Sequence, residues 1–507
     1  MCMNKQCIRS FFISVQFGTM TSPNSHGKSD RIPLCPKVVE KPQMERVISG
    51  WNAGMFIMCS TIGSGIFISP TAVLAGTGSP GMALIFWALG GFVFTLNAFI
   101  YAELALTFPE MGSDYVFLYH GLGDLPAFIF MWTCLVFEST SSRCVTSLTV
   151  GLYTCSLFWN NVDFMWEAQV VIAILTLGVL TFIHCRGTFE AVWVSCLLTY
   201  SKLVGVAVII GTGLYQIFDV YHGLPVEDWF QNTTQSLDGY VQAFYATYWA
   251  YSGIAPSVTI VEELEQPVKT NLLLAVGLSM TLVTMVYVVT NFAYFLVLSP
   301  PELLSSSAVA VSYMNKALPT LAPVMIFFVI CSTLGTLNNT ILSVARLLLA
   351  GARKGHLPKA CSLLNVSRNT PIFNLLMSLF LTIPLLLVGG INQLIQFAGF
   401  MSILFGACAI FSLIKLRVTQ PCKLKTFQLP LIVPIFQFFV YSLILSYSVY
   451  CRPYTFALAL CLVLSGIPVY FIFVDRDLPR LLVSMDERVT CFFQRALNSL
   501  PEGLEGK

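Results

Sequence analysis

Two short stretches of helix-breaking residues interrupt long apolar runs, and each would leave backbone groups able to bind a small polar molecule. The first is Gly63-Ser64-Gly65, and the second is Ser252-Gly253, with Pro256 close behind. Glycine and serine weaken a helix interior, and proline breaks it. A helix that restarts after Gly65 presents free N–H groups and a positive dipole end, which bind a carboxylate. A helix that stops near Ser252 presents free carbonyl oxygens, which accept hydrogen bonds from an ammonium group.

Together these groups suit the main-chain carboxylate and ammonium of an α-amino acid. For the stretch around Ser64 there is an alternative: small residues also allow two membrane helices to pack closely.

The composition identifies the elements that position these stretches as membrane-spanning helices. Of the 507 residues, 56% are hydrophobic and 10% are charged, whereas a soluble domain has about 25% charged residues. No charged residue lies between Arg46 and Glu103 or between Lys269 and Glu302. About 20 apolar residues cross a bilayer as a helix, and the alternating pattern of membrane strands is missing. We therefore expect an all-α membrane protein and exclude a soluble enzyme and a nucleic-acid-binding protein.

We predict about twelve transmembrane helices in a domain over residues 46–475. A cytoplasmic N-terminal tail over 1–45 and a cytoplasmic C-terminal tail over 476–507 flank this domain. Most Lys and Arg lie on one side of the membrane when the N-terminus is placed inside, so both termini are expected to be cytoplasmic. The predicted spans are 47–77, 81–107, 126–158, 166–185, 193–218, 239–264, 272–299, 321–350, 372–389, 391–414, 430–451 and 454–474.

The cysteines and histidines give no indication of a metal site. Most of the 16 cysteines lie in apolar runs, where they behave as small buried side chains. Neither the five histidines nor the cysteines have the spacing of metal ligands. No nucleophile–base group is recognisable. We expect no metal, no cofactor and no catalytic residue.

The two interrupted spans are spans 1 and 6, which correspond to each other in two five-span halves. Matching interrupted helices are the best sequence indication of the substrate site of a secondary transporter. In such a protein one group of helices rocks against the other around a fixed site in mid-membrane. The pattern predicts a transporter.

Several motifs make the chain similar to the light chains of heteromeric amino-acid transporters, of the amino acid–polyamine–organocation superfamily. They include GSGIFISPTAVL at 63–74, VEELEQP at 261–267 and RLLLAGARKGHLP at 346–358. The resemblance runs in order from about residue 45 to 475 and is nearest to L-type, aromatic-preferring neutral transporters. It implies twelve helices in a LeuT-like inverted five-plus-five repeat, sodium-independent exchange of amino acids, and a single-span glycoprotein heavy chain as partner.

The resemblance also implies a substrate site in spans 1, 3, 6 and 10. The backbone of span 1 would hold the carboxylate, and carbonyl oxygens of spans 1 and 6 would hold the ammonium group. Trp249 would close over the substrate, and Ser142 and Ser402 match positions of the side-chain pocket. The substrate-binding residues expected are Thr61, Ile62, Gly63, Ser64, Gly65, Ser142, Trp249, Ser252, Gly253 and Ser402.

Three charged residues inside the spans are functional candidates, because a charge in the bilayer is costly. Lys202 matches a span-5 lysine of the family, whose ammonium would take the place of a sodium ion; alternatively, its ammonium extends to the membrane interface. Glu138 and Arg143 are five residues apart, a poor spacing for an ion pair on one helix. Arg143 either contacts an anionic substrate or binds another helix or backbone carbonyls.

The chain departs from the family pattern at two informative positions. Val162 stands where light chains carry the loop cysteine that bonds to the heavy chain, and Cys155 lies seven residues earlier. A covalent link is therefore in doubt. Ser252 replaces the aspartate of the branch that accepts dibasic substrates, so a cationic side chain would lack a partner.

We therefore expect a plasma-membrane exchanger of neutral amino acids. The alternatives are a proton-coupled carrier in which Lys202 or Glu138 titrates, a carrier of acidic amino acids, and a transport-inactive sensor or assembly subunit. The amphipathic segment 483–499 either lies on the inner membrane surface or packs against the cytoplasmic ends of the spans.

Overall fold

The computed structural model describes residues 49–501 apart from 111, 159–164, 218–228, 254–260, 262–263, 307, 369, 388–390, 421–426 and 475–479. Within these residues almost all regular structure is helical. Eight of the described helices are long and apolar enough to cross a membrane, and two shorter ones are also apolar. The expectation of an all-α, multi-pass membrane protein is confirmed.

The described helices occupy each of the twelve predicted span positions. They are α1 (Gly50–Thr61), α2 (Gly65–Thr77), α3 (Pro80–Thr107), α4 (Asp114–Leu122), α5 (Asp124–Thr133), α6 (Ser139–Phe158), α7 (Met165–Arg186), α8 (Thr188–Tyr215), α9 (Leu237–Tyr251), α10 (Val268–Val297), α11 (Pro300–Ser305), α12 (Val309–Ala317), α13 (Ala322–Arg353), α14 (Ile372–Leu386), α15 (Ile391–Thr419), α16 (Ile432–Cys451), α17 (Pro453–Leu464), α18 (Gly466–Phe473) and α19 (Arg480–Ala496).

Three predicted spans each consist of two described helices. Span 1 consists of α1 and α2, as the Gly63–Gly65 stretch predicts. Span 3 consists of α5 and α6 joined by a π-helical turn over Cys134–Glu138, which the sequence analysis did not foresee. Span 12 consists of α17 and α18, which meet at Ser465.

Large apolar side chains cover the outer surface of the helices. Leu175, Phe182 and Phe439 are each more than 60% exposed. A soluble protein rarely exposes such a surface, whereas a bilayer supplies the apolar surroundings that it needs. The lipid-facing side chains thus account for the apolar runs that carry no charge.

A buried histidine in the loop after α13 connects the short helix α4 to α5, on the side of the membrane where α3 ends. His356, in the loop after α13, holds α4 and α5: its Nδ1 lies 2.9 Å from Tyr115 Oη, and its Nε2 lies 3.5 Å from Asp124 Oδ1. Burial lowers the pKa of His356, and the carboxylate of Asp124 opposes that shift.

Residues after span 12 are also folded. Helix α19 is followed by strand β2 (Ser499–Pro501), which pairs antiparallel with strand β1 (Leu363–Asn365). The C-terminal segment that the sequence assigns to a tail therefore contains a helix and a strand that bind the loop between α13 and α14.

A buried ion pair joins spans 2 and 10. The carboxylate of Glu103 is fully buried and accepts hydrogen bonds from Arg417 Nε at 3.0 Å and Nη2 at 2.7 Å. The backbone N–H of Leu429 also donates to it, at 3.1 Å. The pair is well satisfied, which is the condition under which a buried charge is tolerated.

Replacement of Glu103 by Ala is expected to destabilise the fold by about 3 to 5 kcal/mol, because the guanidinium of Arg417 stays buried without its counter-charge. The measurement is the Tm of the purified protein in detergent. Glu302→Ala is the matched control, since Glu302 also pairs with a basic residue, Lys316, but at the exposed surface. An equal fall of Tm in both variants would contradict the structural role of Glu103.

Candidate functional site

The chain between α1 and α2 is an interruption in mid-span. Helix α1 ends at Thr61, and Ile62 adopts an extended conformation. Helix α2 then starts at Gly65, with Ser64 as the preceding cap residue. Thr61, Ile62 and Ser64 are almost completely buried. The restart of the helix after the Gly63–Gly65 stretch is therefore as predicted.

The start of α2 provides backbone donors inside the protein. The first backbone hydrogen bond of this helix runs from Phe67 N to Ser64 O, at 3.0 Å. The N–H groups of Gly65 and Ile66 come before it and belong to the donors that a helix cannot satisfy internally. They form the group predicted to bind a carboxylate.

Span 6 is also interrupted. Helix α9 ends at Tyr251, and Ser252 has an extended backbone. Pro256 and the two glutamates of the VEELEQP motif, Glu262 and Glu263, lie outside the described residues.

The carbonyl oxygens at this end are less free than predicted. Trp249 O accepts a hydrogen bond from Ser252 Oγ at 2.8 Å, and Thr61 O accepts one from Tyr287 at 2.9 Å. Trp249 O also accepts a hydrogen bond from the backbone N–H of Ser252 at 3.4 Å, whereas Thr61 O keeps one further lone pair. The prediction that the break in span 6 leaves the carbonyl of Trp249 free is therefore wrong, because the hydroxyl and the backbone N–H of Ser252 both bind it.

The two interruptions lie directly against each other. A β-carbon at Gly65 would lie 2.4 Å from Ala250 Cα, and one at Gly253 would lie 2.5 Å from Ser60 O. Any larger residue would collide with backbone atoms at these positions. Glycine at both places lets the broken ends of spans 1 and 6 form one site.

Tyr287 of α10 connects the two broken ends. Its hydroxyl oxygen lies 2.9 Å from Thr61 O, at the end of α1, and 2.9 Å from Ala250 O, near the end of α9. Because a hydroxyl has one hydrogen, it donates to either carbonyl in turn or is shared between them. Tyr287 is fully buried. This role could not be predicted from the residue type, since Tyr287 is one of 19 tyrosines.

Spans 3 and 8 complete the surroundings of span 1. Tyr153 Oη of α6 donates to Phe67 O at 3.2 Å, and Ser332 Oγ of α13 donates to Gly63 O at 3.4 Å. Both were missed from the sequence. A group of small polar residues in span 8, Ser332 and Thr333 among them, is the signal that was available for Ser332.

Trp249 and Ser142 border this region. The ring of Trp249 is half-buried and packs against a buried cluster from spans 3, 4 and 8 that includes Leu148, Ala173 and Leu337. Ser142 is half-buried on α6, and its carbonyl accepts a hydrogen bond from Thr146 Oγ1.

Two predicted site residues bind each other. The hydroxyl of Ser402 donates to Glu138 Oε1 at 2.6 Å. The contact joins span 10 to the π-helical turn of span 3. Glu138 and Ser402 were singled out for separate reasons, and the structure unites them in one polar contact.

The two other charges within the spans are both buried. Lys202 on α8 is 0% exposed, so its ammonium does not extend to a membrane interface. Arg143 on α6 is 1% exposed, and its guanidinium donates to Ser139 O at 3.2 Å and to Thr140 Oγ1 at 3.4 Å. Among the residues that the structure describes, no carboxylate forms an ion pair with Arg143.

Known proteins match most of this chain. Residues 48–472 match the amino acid permease family. The cystine/glutamate transporter of Homo sapiens is 32% identical over 92% of this chain and 93% of its own length. The large neutral amino acids transporter small subunit 2 of Homo sapiens is 34% identical over 88% and 84%. The Asc-type amino acid transporter 1 of Mus musculus is 33% identical over 92% and 90%.

Substitution of Tyr287 by Phe tests the bridge between the broken helices. Loss of the hydroxyl leaves two buried carbonyls without this donor, so we expect a loss of about 1 to 3 kcal/mol in stability and a clear loss of amino-acid uptake. The measurements are the Tm of the purified protein and its uptake in proteoliposomes.

Tyr294→Phe is the matched control for this variant. Tyr294 lies two turns further along α10, is equally buried, and its hydroxyl has no hydrogen-bond partner among the described residues. Its substitution is expected to leave both Tm and uptake unchanged. Wild-type uptake by the Tyr287 variant would contradict the bridging role.

Proposed function

The chain belongs to the amino acid permease family, and we propose that it exchanges neutral L-amino acids, large and aromatic ones included, without sodium. Family membership makes the protein an amino-acid transporter and not an enzyme. The resemblance to light chains of heteromeric transporters is confirmed by the relatives. The observation that carries the finer proposal is the direct contact between the broken ends of spans 1 and 6.

The proposed site binds the main-chain groups of the substrate through backbone atoms. The N–H groups of Gly65 and Ile66, at the positive end of α2, bind the carboxylate. The remaining lone pair of Thr61 O and the carbonyl oxygen of Ser252 accept hydrogen bonds from the ammonium group. Backbone atoms are common to every residue type, so this recognition accepts many amino acids and leaves selectivity to the side-chain pocket.

Neutral selectivity follows from the end of span 6. Ser252 supplies a hydroxyl in place of a carboxylate, and this hydroxyl already donates to Trp249 O. A lysine or arginine side chain would therefore enter a low-dielectric pocket without a counter-charge there. Trp249, half-buried beside the site, is the proposed gate.

Burial of Lys202 supports sodium independence. A fixed ammonium in span 5 supplies a positive charge within the protein, as the family resemblance implies for this position. A buried lysine would otherwise be costly in a membrane. The competing role, a proton carrier, makes a different prediction: uptake would then follow a pH gradient in the absence of internal amino acid.

A heavy-chain partner and the plasma membrane complete the proposal. One relative is named as the small subunit 2 of a large neutral amino acids transporter, and the distribution of basic residues favours a cytoplasmic position for both termini. Val162 lies outside the described residues. Cys155 is buried within α6, so its thiol is shielded from a partner. We propose association through non-covalent contacts.

Efflux of labelled tyrosine from proteoliposomes tests exchange. Without sodium on either side, external neutral amino acids are expected to stimulate efflux from the wild-type protein, because each outward step needs a substrate for the return. Efflux that is independent of external amino acid, or that requires sodium, would contradict the proposal.

Trp249→Ala provides the matching variant for the same assay. Loss of the half-buried ring is expected to slow exchange about tenfold, since such a contact contributes about 1 to 2 kcal/mol. Trp166→Ala is the control, because Trp166 is exposed on α7, away from the broken helices. Equal exchange by both variants would remove Trp249 from the gate.

A second candidate function is transport of acidic amino acids, and Arg143 favours it. Its guanidinium is buried, but in the described part of the chain it donates hydrogen bonds only to neutral groups of its own helix. A buried charge without a counter-charge can attract one from a substrate. One of the relatives is a cystine/glutamate transporter.

Arg143→Gln separates the two candidates. If acidic substrates bind this guanidinium, the variant should lose aspartate and glutamate uptake at least about tenfold, the effect of about 1.4 kcal/mol, while tyrosine exchange persists. Uptake of each labelled amino acid is measured in proteoliposomes, with Thr140→Val as a control that removes only a neutral partner. An equal loss for acidic and neutral substrates would assign Arg143 a structural role.

A further inference from the structure

Helix α19, after the last span, has one face fixed to the protein at the level of the membrane boundary. The ring of Phe493 contacts Phe373 edge to face, with centroids 4.7 Å apart. Phe373 is the second residue of α14, so this contact lies where span 9 begins. Asn365 Nδ2 donates to Leu497 O at 2.8 Å, and β2 pairs with β1 immediately beyond.

The acidic residues of α19 face the rest of the protein, and two of its arginines lie on the opposite, exposed side. Its acidic residues bind the protein: Asp486 Oδ2 accepts from the backbone N–H of Lys359 at 3.5 Å, and Glu487 pairs with Lys359 Nζ at 3.4 Å. Arg488 and Arg495 lie on the exposed side. No carboxylate in the described part of the chain forms an ion pair with either arginine.

Apolar side chains accompany these arginines. Met485 is 51% exposed, Val489 44% and Phe492 65%. Their spacing of four and three residues places them on one side of the helix, and Arg488, Phe492 and Arg495 line a shared concave surface with Cys491 and Ala496. We call Met485, Arg488, Val489, Phe492 and Arg495 the outer face of α19.

We propose that the outer face of α19 binds anionic phospholipids of the inner membrane leaflet. Phe492, Val489 and Met485 insert at the boundary of the acyl chains, and the guanidinium groups of Arg488 and Arg495 bind lipid phosphates. This assignment rests on the proposed cytoplasmic position of the C-terminus.

Position and charge favour lipid over a protein partner. Helix α18 ends at Phe473 and α19 begins at Arg480, a connection that spans at most about 25 Å, so α19 stays near the membrane surface. A basic and aromatic face at this depth is complementary to the negative inner leaflet. The exposed apolar side chains are thereby removed from water.

Hydrogen–deuterium exchange of the full-length protein in nanodiscs tests the proposal. One preparation contains only phosphatidylcholine, and the other also contains phosphatidylserine. Two arginines at an anionic surface favour the docked helix by roughly 30-fold, so we expect backbone amides over 485–496 to exchange several-fold more slowly with phosphatidylserine. Nanodiscs carry the same lipids on both faces, so the result does not depend on orientation or on transport activity.

Variants identify the residues responsible. The double variant Arg488→Gln, Arg495→Gln should lose the difference between the two lipids, and Phe492→Ser should speed exchange in both. Lys415→Gln is the control, because Lys415 is an exposed basic residue at the end of α15, outside the outer face; it should behave as wild type. An unchanged Tm verifies the fold of each variant.

Two results would overturn the proposal. One is equal exchange in the two lipid compositions by the wild-type protein. The other is slower amide exchange that does not need phosphatidylserine but needs an added heavy chain or a second copy of this chain. That result would make the outer face a protein interface.

Discussion

Inside a bilayer, a backbone group that leaves the helical pattern must find its partner within the protein. The chain meets this constraint by setting the broken ends of spans 1 and 6 against each other. Tyr287 lies within 2.9 Å of a carbonyl from each end. Gly65 and Gly253 allow the two backbones to touch. Spans 3 and 8 bind the next carbonyls along span 1, through Tyr153 and Ser332. The arrangement of five spans thus follows from two interruptions.

These same contacts explain how such a site can bind a substrate and also rearrange. Each is a single hydrogen bond, worth about 1 kcal/mol, between groups on different helices. At the proposed site, a bound amino acid would add interactions of similar size to neighbouring backbone atoms. A ligand shifts a conformational equilibrium only by its difference in affinity for the two states. Because the contacts between the helices are weak, the free energy needed to move the helices is small. A modest difference in substrate affinity between two conformations is then enough to shift the equilibrium.

Local sequence predicted the parts of this site that depend on local chemistry. Gly63-Ser64-Gly65 specifies the break in span 1 because these residues weaken a helix wherever they occur. Tyr287 has no such signature, since its role comes from the spatial meeting of three spans. The same holds for the contact between Glu138 and Ser402. Their residue types drew attention, but only the fold shows that they bind each other. The carbonyl of Trp249 was predicted to be free, but the hydroxyl of Ser252 folds back onto it, a side-chain conformation that residue types alone do not specify.

The buried charges are of two kinds, those paired with an opposite charge and those with only neutral partners. Glu103 and Arg417 satisfy each other across spans 2 and 10, and a backbone N–H completes the set. Such a closed group holds the scaffold and needs nothing from outside. Arg143 is buried to the same degree, yet its described hydrogen bonds go to neutral groups one turn away. Its positive charge is solvated but not balanced. Because an unbalanced charge in a low dielectric is costly, Arg143 is the buried charge for which we propose a substrate carboxylate, whereas Glu103 and Arg417 form a pair that serves the scaffold.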